Sequence, residues 1–86
     1  MRAVTFTESW DVWEVHPVGA EVVVCTSGSI TLIQRRGGPE GREERVTLSA
    51  GQFVINQPND WHTADVDEPC TVLFITAGQG TENHPR

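Results

Sequence analysis

The chain of 86 residues is long enough for one domain with a single core, because chains divide into domains only when they are several times longer. Its six Lys and Arg residues are outnumbered by twelve Asp and Glu residues, so it lacks the basic surface that a nucleic-acid partner requires. No window approaches the ~20 consecutive apolar residues of a membrane helix, and the N-terminus lacks the apolar segment of a signal peptide. We therefore expect one cytoplasmic domain over residues 1–86 that binds neither nucleic acid nor membrane.

Apolar residues recur with a period of two, and turn residues interrupt them at short intervals, which predicts about eight short β-strands and no substantial helix. The predicted strands are residues 3–7, 12–16, 22–26, 30–34, 44–48, 52–56, 61–66 and 70–76. The Ser27-Gly28 dipeptide predicts a hairpin between the third and fourth strands, residues 35–42 a polar loop, and residues 78–86 a polar surface tail. This pattern favours a small antiparallel barrel, in which closure removes exposed sheet edges.

Two acidic residues and a histidine are predicted to point into the interior of this fold. Alternate side chains of a strand share one face, so Glu14 and His16 point the same way as the apolar Val12. Glu21 begins the next strand and shares a face with Val23. Two carboxylates and one imidazole are therefore directed into the same interior.

An ionised carboxylate in an apolar interior is costly unless it is paired or bound to a cation, so this arrangement indicates a site. A second histidine, His62, begins a later strand after a turn. Imidazole and carboxylate ligands suit Mn, Fe, Zn, Ni or Co better than a soft copper site. Glu14, His16, Glu21 and His62 are therefore the candidate ligands of a divalent metal ion.

Two stretches of the sequence resemble the motifs of the cupin family. The run EVH at residues 14–16, followed by Glu21 and Gly28, is similar to the first motif, G(X)5-H-X-H-(X)3–4-E-(X)6-G. The run GQFVINQPNDWH at residues 51–62 is similar to the second, G(X)5-P-X-G-(X)2-H-(X)3-N. The resemblance covers almost the whole chain.

The resemblance implies a double-stranded β-helix barrel (a jelly roll), usually a homodimer, that binds a divalent metal ion. It assigns His16, Glu21 and His62 to the metal, while Glu14 stands where the first ligand histidine of the family usually stands. Glu14 can then supply an oxygen ligand that favours Mn or Fe, act as a catalytic general base beside the metal, or mark a site that has lost its metal. The second motif is also altered at Gln57, Asn59 and Val66.

These residues also have ordinary structural interpretations. A single histidine in a strand is usually a satisfied polar residue, but the joint spacing of His16, Glu21 and His62 favours metal binding. For Glu14, a role as a hydrogen-bond acceptor at the barrel mouth stays open beside that of a ligand.

Four further residues are interpreted as structural. Trp13 has the opposite parity to Glu14 and is expected outside the barrel, at a dimer interface, and His84 is expected to be exposed in the tail. Cys25 and Cys70 are too few and too far apart for a disulfide framework or a CxxC site, so they are interpreted as free thiols.

Three functions fit this site. The first is a metal-dependent enzyme acting on a small organic molecule, such as an oxygenase, isomerase, epimerase or lyase, in which carboxylates move protons. The second is a non-catalytic module that binds a small ligand or a metal, and the third is a dimer-forming barrel whose site has decayed. Retention of the ligand types at motif spacing favours metal binding, whereas the substrate is not indicated because cupins host unrelated chemistries.

Overall fold

The computed structural model describes residues 1–86 as nine antiparallel β-strands without a helix, so no helix is available to span a bilayer. The strands are β1 (Arg2–Phe6), β2 (Val12–Val15), β3 (Glu21–Ser27), β4 (Ser29–Arg36), β5 (Arg42–Ser49), β6 (Phe53–Asn56), β7 (Trp61–Asp65), β8 (Cys70–Thr76) and β9 (Glu82–Pro85). The predicted all-β, antiparallel fold class is confirmed, and each of the eight predicted strands is present with its ends within two residues of those expected.

The ninth strand was not expected, because the polar tail has no apolar alternation from which a strand can be predicted. Residues Glu82–Pro85 pair antiparallel with β2, from Val15↔Glu82 to Val12↔Pro85. The backbone groups of β2 would otherwise be unpaired on this side, and β9 satisfies them. The tail is therefore part of the sheet, and this brings residues near 81 to one end of the interior.

The strands form a four-stranded sheet of order β1-β8-β3-β6 and a five-stranded sheet of order β5-β4-β7-β2-β9. Consecutive strands lie in different sheets except β4 and β5, so the hairpin predicted at Ser27-Gly28 is wrong. The chain crosses there from one sheet to the other. Gly28 has φ of 73°, and a Cβ atom at this position would lie 2.4 Å from the carbonyl oxygen of Pro69. The glycine is thus required by a close crossing of two segments rather than by a hairpin turn.

The two sheets pack face to face, and most of the space between them is apolar. The buried cluster there consists of Val23, Cys25, Ile30, Leu32, Leu48, Ala64, Val66, Cys70, Val72 and Phe74. Full burial of a Val, Leu or Ile side chain stabilises a fold by about 1.5–3 kcal/mol, so this layer holds the sheets together. Both cysteines in it are free thiols, and burial raises the pKa of each thiol, which disfavours the reactive thiolate form.

Trp13 lies on the outer face of the five-stranded sheet, as its parity predicts, but its side chain is covered by the chain itself. It is 7% exposed, and the Arg35 guanidinium carbon lies 4.3 Å from the centre of the indole ring. Next to it, the rings of Trp61 and His84 stack with their centroids 4.3 Å apart. His84 therefore belongs to a packed outer surface and lies away from the interior.

The outer face of the four-stranded sheet carries no charged side chain, and it is apolar except for Thr5, Thr26 and Thr71. Register places Val24 beside Phe53 and Leu73, and Val22 beside Ile55 and Ile75. Three of these residues are exposed: Phe53 (61%), Ile75 (45%) and Ile55 (39%). This surface contrasts with the net charge of −6 carried by the whole chain.

Candidate metal centre

Polar side chains replace the apolar core at one end of the space between the sheets. They form two facing rows, because residues that are paired in register share a face. The row in the five-stranded sheet consists of Gln34, His62 and Glu14. The row in the four-stranded sheet consists of Asn56, Glu21 and Thr76. The ends of β2 and β3 thus supply the acidic residues, and β7 supplies a histidine between them.

The four candidate ligands predicted from the sequence converge in this layer. One ligand atom from each of Glu14, His16, Glu21 and His62 lies within 4.8 Å of the others. His62 and Glu21 are 0% and 2% exposed, His16 is also buried, and only Glu14 reaches the surface, with 22% of its side chain exposed. The strand-parity prediction is therefore confirmed for the positions of Glu14, His16 and Glu21, and His62 joins them as the fourth predicted member of the group.

The Nε2 atoms of both histidines face carboxylates at short distances. Nε2 of His16 lies 3.1 Å from Oε1 of Glu14 and 3.1 Å from Oε2 of Glu21. Nε2 of His62 lies 3.1 Å from Oε1 of Glu21 and 3.6 Å from Oε1 of Glu14. Despite these distances, neither Nε2 atom makes a hydrogen bond of acceptable geometry, and both are buried. Buried polar atoms without a hydrogen-bond partner are rare. Here two such nitrogen atoms lie close to the same two carboxylates, those of Glu14 and Glu21.

Hydrogen bonds at Nδ1 fix which ring nitrogen is free. Nδ1 of His62 lies 3.3 Å from the carbonyl oxygen of Asp60, which can only accept. Nδ1 of His16 lies 2.8 Å from Oγ1 of Thr81, whose own hydroxyl donates to the carbonyl oxygen of Gly78. In both neutral rings Nδ1 therefore carries the hydrogen and Nε2 carries the lone pair, the form in which histidine binds a metal ion.

Glu21 is oriented by its cross-strand neighbours on both sides. Nδ2 of Asn56 donates to its Oε1 over 3.1 Å, and the hydroxyl of Thr76 donates to its Oε2 over 2.5 Å. Sequence reasoning missed Asn56, Thr76 and Thr81 as parts of the centre. The parity of Asn56 with Val54 in the predicted strand 52–56 is a usable signal for Asn56, whereas Thr81 lies in the segment whose strand was not predicted.

The four groups shift one another's pKa values. Close approach of His16 and then of His62 lowers the pKa of Glu14 to about 2. Burial raises the pKa of Glu21, but the two imidazoles outweigh burial and hold it below its usual range. Burial lowers the pKa of His16, but the carboxylates raise it to about 9, and the same opposition raises the pKa of His62. The two negative charges are balanced either by protons on the two rings or by one divalent cation.

The centre opens to solvent through a cavity of about 380 Å³. Its lining includes Arg2, Glu14, His16, Glu21 and Thr81. A neighbouring cavity of about 480 Å³ shares Arg2, Glu14 and Phe74 with the first and is bounded by aromatic side chains. Those aromatic residues are Phe6, Trp10 and Phe74. Glu14 is thus the candidate ligand that borders both cavities.

The fold and the centre define a class: an all-β protein of two antiparallel sheets that holds a buried group of two His and two Glu able to bind a metal ion. Comparison of the chain with protein-family models, with curated proteins and with solved structures found no match.

Proposed function

We propose that this protein is a metal-binding cupin in which Glu14, His16, Glu21 and His62 hold one divalent ion. We also propose that a small organic molecule binds in the adjoining cavity. The observation that carries the proposal is the pair of buried Nε2 atoms, each without a hydrogen-bond partner and each close to carboxylate oxygens. The cupin assignment is supported by the two sequence motifs and by the antiparallel fold.

The distances between the ligand atoms support this proposal. Ligands at right angles around an ion, each about 2.1 Å from it, lie about 3.0 Å apart. Three of the four Nε2–carboxylate distances in the centre are 3.1 Å. A divalent ion would also balance the two carboxylate charges while both rings stay neutral. Two nitrogen and two oxygen donors favour Mn, Fe, Zn, Ni or Co.

Glu14 is the residue that we propose to act on a bound molecule. A divalent ion in the centre would supply Lewis acidity to a ligand in the cavity. The Glu14 carboxylate lies at the cavity wall and has a pKa of about 2, so it is ionised at neutral pH and can accept a proton from such a ligand.

The first prediction is the metal content of the purified protein. We expect one divalent ion per chain by elemental analysis, either as isolated or after reconstitution with Mn, Fe, Zn, Ni or Co and removal of excess ion. Chain without an affinity tag is required, because tag histidines bind the same metals. Absence of stoichiometric metal after reconstitution with all five would contradict the proposal.

A non-catalytic binding module is the second candidate function, and the short loops favour it. No connection between strands exceeds five residues, so no segment is long enough to close over the cavity as a lid. Recovery of a bound molecule in unaltered form from the metal-loaded protein would support this function. Conversion of that molecule would support the enzyme.

We further propose that the chain forms a homodimer through the apolar outer face of the four-stranded sheet. Two copies of a chain with net charge −6 repel one another, and this uncharged face is where they can meet without opposing like charges. Four strands about 4.8 Å apart, two of seven residues and the others of five and four, present about 400 Å². This area is about half of the ~800 Å² per partner of a standard interface, so we expect a weak, concentration-dependent dimer.

The second prediction tests this face with Phe53→Lys. Light scattering after size exclusion should give twice the monomer mass for the wild type at high concentration and the monomer mass for the variant. Thr31→Lys, at a central strand position on the outer face of the other sheet, is the matched control and should dimerise like the wild type. A monomeric wild type at all concentrations would contradict the homodimer.

A further inference from the structure

A chain of hydrogen bonds leads from the protein surface to Glu21. Nη2 of Arg36 donates to Oε1 of Gln34 over 3.0 Å, and Nε2 of Gln34 donates to Oδ1 of Asn56 over 2.6 Å. Nδ2 of Asn56 then donates to Oε1 of Glu21 over 3.1 Å. Gln34 and Asn56 are 2% and 1% exposed, whereas Arg36 has 37% of its side chain exposed.

A second branch leads from the same guanidinium to His62. Nη1 of Arg36 donates to Oδ2 of Asp60 over 2.9 Å, and the backbone N–H of Gly37 donates to Oδ1 of Asp60 over 2.9 Å. The carbonyl oxygen of Asp60 in turn lies 3.3 Å from Nδ1 of His62. The two branches therefore connect one arginine to two candidate metal ligands that come from opposite sheets.

The direction of the first branch is fixed by the chemistry of its groups. A guanidinium can only donate, so the oxygen of Gln34 must face Arg36. The amide nitrogen of Gln34 also donates to the carbonyl oxygen of Ile55 over 3.2 Å, which excludes the flipped amide. Since the oxygen of Asn56 is occupied by Gln34, its NH₂ group must face Glu21.

We infer that Arg36, Gln34 and Asn56 are positioning residues, which orient the Glu21 carboxylate toward His62 and thereby set the affinity of the centre for a divalent ion. This inference rests on the proposed metal-binding function. Of the three residues, only Asn56 donates a hydrogen bond to Glu21, and Gln34 and Arg36 act on that carboxylate through Asn56. Arg36 also reaches His62 through Asp60, whereas Gln34 and Asn56 belong to the first branch alone. Partners of this kind typically change metal affinity about 10- to 100-fold when they are altered.

A purely structural network would hold β3, β4 and β6 together without affecting the metal, and Gln34→Glu separates the two roles. The substitution keeps the size of the side chain and its contact with Arg36, but it replaces the donor that faces Asn56 by an acceptor. Asn56 must then turn its NH₂ group toward the new carboxylate and its oxygen toward Glu21. Glu21 loses a hydrogen bond and gains a repulsive contact, so its orientation changes. The hydrogen bond from Gln34 to the carbonyl oxygen of Ile55 is lost as well, so the melting temperature of the metal-free variant is measured beside its metal binding.

The test is calorimetric titration of the metal-free full chain with Zn²⁺, together with the visible spectrum of the Co²⁺ form, which reports ligand geometry. We expect Zn²⁺ affinity to fall about 10- to 100-fold in Gln34→Glu and about 10-fold in Arg36→Met, with an altered Co²⁺ spectrum in Gln34→Glu. The matched control is Arg45→Met, because Arg45 is an exposed arginine with an ion pair to Asp65 outside the network. It should bind both ions like the wild type.

The possible results separate this inference from the proposed function. Equal Zn²⁺ affinity and an unchanged Co²⁺ spectrum in wild type and Gln34→Glu would overturn the inference and leave the metal centre standing. A lower melting temperature of the metal-free variant with unchanged metal binding would also overturn it, since that is the structural role. Absence of Zn²⁺ and Co²⁺ binding by the wild type would overturn both. If Gln34→Glu does not fold, the Zn²⁺ affinity of Arg36→Met tests the inference. The Arg36 side chain is partly exposed, so this substitution is expected to leave the protein folded.

Discussion

Replacing His62 by alanine is expected to abolish stoichiometric metal binding and the thermal stabilisation that the ion provides. His62 is fully buried and is one of only two nitrogen donors in the proposed centre, and its Nδ1 lies 3.3 Å from the carbonyl oxygen of Asp60. A ligand at 100 times its Kd stabilises the native state by about 2.7 kcal/mol. For a domain of this size that corresponds to roughly 10–20 °C in melting temperature, which the variant should lose. Elemental analysis and thermal unfolding with and without added ion measure both effects.

The matched control for this substitution is His84→Ala. His84 stacks on Trp61 at the outer surface and lies outside the metal centre, so its removal should leave metal content and metal-dependent stabilisation unchanged. Circular dichroism of both metal-free variants checks that each retains the β-sheet fold. Wild-type metal affinity in a folded His62→Ala variant would show that the ion, if bound, lies elsewhere.

Metal affinity is expected to increase steeply with pH because protons and the metal ion compete for the same nitrogen atoms. The pKa of His16 is raised to about 9, so its ring is protonated at pH 7 and must release a proton when the ion binds. One such proton makes affinity rise about tenfold per pH unit, or about 100-fold between pH 6 and pH 8. The raised pKa of His62 adds to this increase. Glu14, whose pKa is about 2, stays ionised throughout and contributes no slope.

Titrations with Zn²⁺ in two buffers of different ionisation enthalpy count the released protons directly. The metal-free protein should show the opposite dependence, because the contribution of His16 to stability is fully present below about pH 6.5 and is lost as the pH rises through about 9. Urea unfolding of the metal-free chain across this range measures that loss. Metal affinity that is constant from pH 6 to pH 8 would exclude protonated histidines in the metal-free centre.

The candidate site could be predicted from the sequence because strand parity is a local property. Glu14 and His16 are two residues apart in one strand, and Glu21 has the parity of Val23 in the next, so their common face follows from the pleat alone. An interior carboxylate requires a compensating charge, which is why these residues indicate a site. The fourth candidate ligand, His62, was identified from its spacing in the second motif. The same reasoning placed Trp13 on the opposite face.

The partition of strands between sheets could not be predicted in this way. The Ser27-Gly28 dipeptide is equally suited to a hairpin and to a crossing between sheets, because both require a residue that tolerates positive φ. The decisive contact, between Gly28 and the backbone near Pro69, joins segments 41 residues apart (69 − 28). Strand β9 was missed for a related reason, since its polar residues form a strand only because β2 offers unpaired backbone groups.

The sequence by itself therefore determined the all-β character of this protein and the identity of the side chains that face its interior. Both depend on the alternation of residues along a single strand, which is a local property of the sequence. Only the tertiary structure decided which groups surround those side chains: Asn56 and Thr76 beside Glu21, and Thr81 beside His16. These partners lie between 35 and 65 positions away in the chain, and pairing over such distances depends on how the two sheets assemble as a whole.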